Sequence, residues 1–216
     1  MKGRGRPARP ARPAAQRRAE RPKARPSRPA PVEAPVVVPT EPFRLRYVEG
    51  ATPAKWIRAW AEQMPQPLEH ELVDEAEQEV ALRDGSADAA IVRLPVAGDD
   101  LHVVRLYDER AFVVVPIDHP AADLDEVALA DLADSPLLER GTMTWSELVE
   151  VVASGVGIAT MPQSLARLHD RRDVASLPVV DLPPTTVALA WLRTRDGDDV
   201  QALAGIVRGR SPRSSR

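Results

Sequence analysis

The stretch VEVVASGVGIATMPQSLA, Val149 to Ala166, decides how the rest of the chain is read. Gly155 and Gly157 sit one residue apart among apolar residues, like half of a dinucleotide-binding fingerprint. That fingerprint needs a strand, then glycines, then a helix whose N-terminus meets the phosphate. Here the order runs the other way. TWSE (Thr144–Glu147) is a capping box, and Trp145, Leu148, Val149 and Val152 follow at helical spacing. The glycines therefore end a helix, with Gly155 as its left-handed C′ residue. VGIAT continues as a short strand, and Pro162 opens a helix, QSLARL. The segment is a helix-to-strand connection, and the pyrophosphate reading fails.

Outward from it, strands and helices alternate. FRLRYV (Phe43–Val48) reads as a strand, and GATPAKWIRAWAEQM as a helix with Thr52 as N-cap and Pro53 in first position. Trp56, Ile57, Trp60 and Met64 give that helix one apolar stripe, a core or dimer surface rather than a ligand box. LEHELV (Leu68–Val73) is a second strand, Glu75–Arg83 a helix stopped by Gly85, and ADAAIVRL (Ala87–Leu94) a buried third strand. Leu101–Tyr107 and Ala111–Ile117 are two more strands, and a helix covers Asp125–Ala133. Strands at Val174–Asp181 and Thr186–Arg193 and a helix from about Asp199 complete the pattern. Such alternation predicts an α/β fold with parallel sheets flanked by helices.

Charge is distributed unevenly along the 216 residues. Residues 1–30 carry eleven Lys/Arg and one acid, and residues 208–216 add four arginines and no acid. Residues 31–207 hold 14 basic and 31 acidic side chains, a net of −17. A duplex is repelled by such a body and attracted by its ends. Residues 1–42, with RPARPARPA at Arg6–Ala14, are rich in Arg, Pro and Ala and predict a disordered basic tail. No cysteine is present, which excludes disulfides, thiolate metal sites and cysteine nucleophiles. With no secretory pattern and no membrane-length apolar run, a soluble cytoplasmic protein is expected.

Four pieces in order resemble the effector-binding (substrate-binding) domain of LysR-type transcriptional regulators. They are FRLRYVEGATPAKW, LRDGSADAAIVRLP, VVVPIDHPAA with VALADLAD, and VEVVASGVGIATMPQSLA. The resemblance covers 43–207 and implies a type II periplasmic-binding-protein-like fold. Its mixed, mostly parallel sheets would form two lobes joined by two hinge strands. Lobe one would be 43–109 with 190–207, lobe two 110–189, and 208–216 a basic disordered tail. It also implies a small-molecule effector in the inter-lobe cleft and a link to transcriptional regulation. The family's winged helix-turn-helix has no counterpart in this sequence. Between PLLE and the Thr144 capping box, where the family has another helix and strand, only Arg140–Met143 remain, so the second lobe is shortened.

Ligands of this fold class sit beyond the carboxyl ends of strands, where helix N-termini present free N–H groups. Gly50, Ala51 and Thr52 form such a turn, suited to a carboxylate or another polar anion, or simply to capping its own helix. Arg93 follows the strand AAIV and either clamps a carboxylate or pairs with Asp88 or another acid. Met161, Pro162 and Gln163 face them from the second lobe, with Thr142 and Thr144 on the shortened loop. The acidic run EHELVDEAEQE (Glu69–Glu79) reads as a solvated helix start rather than a cation site.

No enzyme is expected, and no metal or cofactor. The four histidines are dispersed, and HExxH, GxSxG and P-loop patterns are absent. Arg4, Gly5, Arg6 and Pro7 resemble an AT-hook core, against a plain polycation in biased composition or an over-extended start. Two functions stand side by side. One is a stand-alone effector-binding protein, homodimeric or paired with a full-length LysR-type regulator. The other is a protein-interaction or nucleoid-associated module with a degenerate pocket and weak, non-specific DNA contact through its tail.

Overall fold

The computed structural model describes residues 41–209. Along them run β1 (Phe43–Val48), α1 (Ala54–Gln63), β2 (Leu68–Val73), α2 (Val80–Arg83), β3 (Ala89–Arg93), β4 (Leu101–Glu109) and β5 (Ala111–Pro116). Then come α3 (Trp145–Ala153), β6 (Ala159–Pro162), α4 (Gln163–Leu168), β7 (Val174–Pro178), β8 (Thr185–Leu192) and α5 (Asp198–Val207). A five-stranded sheet in the order β2-β1-β3-β8-β4 builds one lobe, and a three-stranded sheet, β6-β5-β7, builds the other.

The sheets are mixed, and parallel pairing is not the main mode. It is confined to β1 with β2 and β3, whereas β3–β8, β4–β8, β5–β6 and β5–β7 are antiparallel. The connections explain this. A parallel neighbour requires a crossover, which α1 supplies between β1 and β2. β4 instead runs into β5 through Arg110 alone, and β7 returns to β8 through residues 179–184 without a helix. These two stretches are the crossings between lobes. β8 belongs to the five-stranded sheet from Thr185 onward, so the chain re-enters the first lobe before the expected position near 190.

Strand periodicity divides the core into layers. In β3, Ala89 and Ile91 join Phe43, Leu45, Leu189 and Trp191 against α1 and α5, while Ala90 and Val92 join Ala188, Ala190 and Leu82 on the other face. Both faces being covered, every residue of β3 is buried, as its continuous apolar run demands. Trp56 and Trp60 are core residues. The Trp60 ring lies 4.7 Å from that of Phe43, and its Nε1–H donates to the Gln66 carbonyl at 2.7 Å. β5 does the same for the second lobe, sending Val114 toward α3 and α4 and Val113 and Val115 toward Val127 and Leu132.

Three local expectations fail, two of them where tertiary contacts compete with helix formation. Residues 75–83 do not form one helix; a 3-10 turn (Glu75–Glu77) precedes α2. Gln78 at that junction gives its side chain to the backbone of Arg93. Residues 125–133 form only a 3-10 turn, Leu129–Leu132, because Val127 bridges Val179 and donates its N–H to the Pro178 carbonyl at 3.0 Å. Thr52 does not cap α1. Pro53 is the N-cap and its carbonyl accepts from the Trp56 and Ile57 amides, leaving the exposed Thr52 hydroxyl one residue too early.

The segment around Val149–Ala166 folds as its sequence dictates. Thr144 Oγ1 accepts from the Glu147 N–H at 3.2 Å while the Glu147 carboxylate accepts from the Thr144 N–H at 2.7 Å. Gly155 follows the C-cap with φ +81°. One parallel bridge, Leu137 to Ile158, lies beside β6.

Candidate functional site

The parallel strands β1 and β3, with β2, point their carboxyl ends at the second lobe, and the candidate site lies there. Glu49 and Gly50 follow β1, Asp74 and Glu75 follow β2, and Arg93 ends β3. Arg93 is the centre of the arrangement. Its side chain is 1% exposed, its Nε donates to Glu109 Oε2 at 3.1 Å, its Nη1 to Glu75 Oε2 at 3.3 Å, and its Nη2 to Ser164 Oγ at 3.1 Å. Glu109 comes from the first hinge crossing, Glu75 from the turn after β2, and Ser164 from α4 of the second lobe. A guanidinium this deeply buried requires a countercharge, and Glu109, 7% exposed, is placed to provide it.

The backbone of Arg93 is fixed as firmly as its side chain. Gln78 Nε2 donates to the Arg93 carbonyl at 2.9 Å, and the Arg93 N–H donates to Gln78 Oε1 at 2.8 Å. Beneath the guanidinium, Gly50 has φ +81°, and a Cβ there would lie 2.5 Å from Ser164 Oγ and 2.8 Å from Arg93 Nη2. Only a residue without a side chain lets the lobes approach so closely at this point.

Two further contacts cross between the lobes. Arg140, on the loop before α3, holds both carboxylate oxygens of Asp74 at 3.0 Å, a two-point clamp, while its guanidinium lies 5.0 Å from the Trp145 ring centre. The Arg140 hydrogen bond, with another from the Ala76 N–H, holds the Asp74 carboxyl below the usual carboxylate range against partial burial. Glu49 Oε1 lies 3.0 Å from His169 Nε2, an ion-pair distance, although the ring is not turned to make a hydrogen bond. Burial pushes the Tyr107 phenol above its ordinary value, and the Glu109 carboxylate adds to that shift.

Beside these contacts a groove of about 410 Å³ opens between the lobes. Glu49, Leu72, Val73, Asp74 and Glu75 line it from the first lobe; Thr144, Trp145 and Ser146 line it from the second. Its walls combine carboxylates, aliphatic surface and one indole, a lining suited to a small organic molecule.

Of the residues singled out in the sequence, Gly50 and Arg93 meet at the lobe contact and Thr144 lines the groove. Ala51 is buried in the core, and Met161 packs in the second-lobe core, 3% exposed. Pro162 is buried where β6 meets α4; Gln163, half-buried, donates its N–H to the Arg110 carbonyl; Thr142 is exposed. None of these four second-lobe residues lines the groove. Arg93 pairs with Glu109 and Glu75 rather than with Asp88, whose carboxylate is taken by Arg44 and Arg195. The acidic run is largely solvated, but it forms β2 and a 3-10 turn rather than a helical face, and Asp74 and Glu75 within it join the lobe contact. Arg4, Gly5, Arg6 and Pro7 lie outside the described residues.

Glu75, Glu109, Arg140, Ser164 and His169 carried no sequence signal of a site. Ser164 was the nearest to legible, one residue beyond the Met161–Gln163 trio.

Residues 53–147 match the family model described as the LysR substrate binding domain. The chain is 28% identical over 138 residues to the uncharacterized HTH-type transcriptional regulator YwbI of Bacillus subtilis (strain 168), covering 52% of this chain and 46% of that protein. The reduced OxyR regulatory domain from Pseudomonas aeruginosa is 25% identical with a TM-score of 0.61, covering 77% of this chain and 94% of that one. The BenM effector binding domain with its effector benzoate is alike in fold, with a TM-score of 0.63 at 20% identity over 77% of this chain and 90% of that one. The chain spans about half the length of the curated relatives it matches, 46% and 53% for the first two.

Proposed function

We propose that the globule of residues 41–209, which matches the LysR substrate binding domain over residues 53–147, acts as such a domain, binds a small organic effector in the groove between its lobes and passes the bound state on to transcription. The observation that carries this reading is the two-sided lining of the groove. A molecule touching Leu72–Glu75 on one lobe and Thr144–Ser146 on the other binds the closed arrangement more tightly than an open one. A ligand with such a preference shifts the lobe equilibrium toward closure. The relatives are named as transcriptional regulators, so the domain is a binding module and not an enzyme. It acts as a homodimer or beside a full-length regulator of the same family, in the cytoplasm. With no cysteine in the sequence, sensing by a thiol is excluded.

A thermal-shift screen of small neutral, cationic and anionic metabolites tests the reading. At least one compound raises Tm saturably, by the equivalent of about 2.7 kcal/mol at a hundredfold excess over Kd. Ser146→Trp, which puts an indole into the groove, removes that response and leaves the ligand-free Tm nearly unchanged. A screen with no saturable response, or a response that survives Ser146→Trp, defeats the proposal.

A further inference from the structure

Two carboxylates of one short turn line the groove, and each holds a guanidinium that is not itself part of the lining, Asp74 that of Arg140 and Glu75 that of Arg93. The Arg93 pairing is the unusual one. Glu109 alone balances its charge and is buried with it, 7% and 1% exposed. Glu75, a second carboxylate on the same guanidinium, is 30% exposed and forms part of the groove wall. It lies between the groove and Nη1, where an incoming anion would dock. Removing the Arg93–Glu109 pair from the count, the groove region keeps Glu49, Asp74 and Glu75 against Arg140, an excess of negative charge.

We infer that Glu75 is a carboxylate carried in cis that occupies the anion position of the cleft, so that the protein rejects anionic ligands and admits neutral or cationic ones. The inference rests on the groove being the effector site proposed above. Like charges brought together in a partly desolvated groove repel strongly, so a carboxylate ligand must first displace Glu75 from Arg93. Taking Glu75 away leaves one Arg93 donor unpaired and turned toward an opening of the right size for a small acid.

Chemical rescue in the full chain is the test, with sodium acetate, propionate and benzoate as probes and sodium chloride at equal ionic strength as the reference. Wild type responds to the carboxylates no more than to chloride. Glu75→Ala melts lower and regains Tm saturably with carboxylate, with a Kd at least about tenfold below any wild-type value, the scale of one charge-assisted hydrogen bond. Glu75→Gln, which removes the charge and keeps the volume, gains part of that response and covers the case in which the alanine variant folds poorly. Adding Ser146→Trp to Glu75→Ala abolishes the rescue, because the probe enters through the groove.

Saturable carboxylate binding by wild type overturns the inference. So does the absence of any gain in both variants, or rescue that persists behind Ser146→Trp. An effector screen that fails on wild type while acetate rescues Glu75→Ala defeats the effector reading and leaves the role of Glu75 standing.

Discussion

Gly50 and Gly155 share one backbone conformation, φ +81°, and differ in what surrounds them. A Cβ on Gly155 meets nothing within 4 Å, so Gly155→Ala carries only the left-handed penalty, about 1 kcal/mol. A Cβ on Gly50 collides with Ser164 Oγ and Arg93 Nη2, one from each lobe. Gly50→Ala adds overpacking to the same strain and destabilises by about 2–4 kcal/mol. Urea unfolding of the two variants distinguishes the cases; equal losses mean that the lobes do not close on Gly50. The sequence marks both glycines as turn residues with equal weight. Only the approach of α4 gives Gly50 its second constraint.

Elements of the first lobe are joined by an ion network around Asp88, which precedes β3. Its carboxylate accepts from the Arg44 N–H of β1 at 2.7 Å and from Arg195 Nε at 2.9 Å, and Arg195 also clamps Asp199 in the first turn of α5. Burial opposes the charge on Asp88, but the Arg44 and Arg195 hydrogen bonds outweigh it and hold the carboxyl below its ordinary range. Asp199 is depressed as well, chiefly by Arg195. For a group whose folded pKa is lowered, the stability contributed is complete above the unfolded value, about pH 4. It is lost as pH falls through the lower folded value. Asp88→Asn therefore weakens the protein by about 1–3 kcal/mol at pH 7 and gives a flatter stability profile from about pH 5 to pH 2.5. Denaturant midpoints measured across that range check it; profiles that run parallel contradict the network's role. The strands and α5 joined by this network are legible from periodicity, whereas the Asp88 partners are not, because Arg195 lies 107 residues away.

For the molecule as a whole, charge separates two possible modes of action. Residues 41–209 carry 15 basic and 30 acidic side chains, a net of −15, so this globule leaves duplex DNA unretarded at every salt concentration. Any duplex binding by the full chain depends on residues 1–40, which hold eleven Lys/Arg, and 210–216, which hold three arginines. It weakens on the order of 10³-fold or more between about 50 and 200 mM salt if six or more phosphates are contacted. Gel retardation of the full chain and of a 41–209 fragment separates these outcomes; equal binding by the two refutes the charge account. A full chain that binds DNA and answers no small molecule fits the interaction-module reading rather than the effector-binding one. Among the described residues, no helix is long and apolar enough to cross a membrane.

The sequence by itself determined the order of the strands and of α1, α3, α4 and α5, the capping box at Thr144, the helix-ending Gly155, the buried strand β3 and the apolar stripe of α1. Those features depend on periodicity and chemistry within a few residues of one another. It did not determine sheet direction, because the hinge crossings reverse the chain without a helix to announce the turn. Nor did it determine the cleft. Arg93 meets Ser164 across 71 residues, and Arg140 meets Asp74 across 66. Each of 15 cations has 30 acids to choose from in residues 41–209, and only the folded distance between lobes makes the choice. Thus Glu75 reads in the sequence as one acid in a charged run and becomes, in the folded molecule, the residue standing between the groove and Arg93.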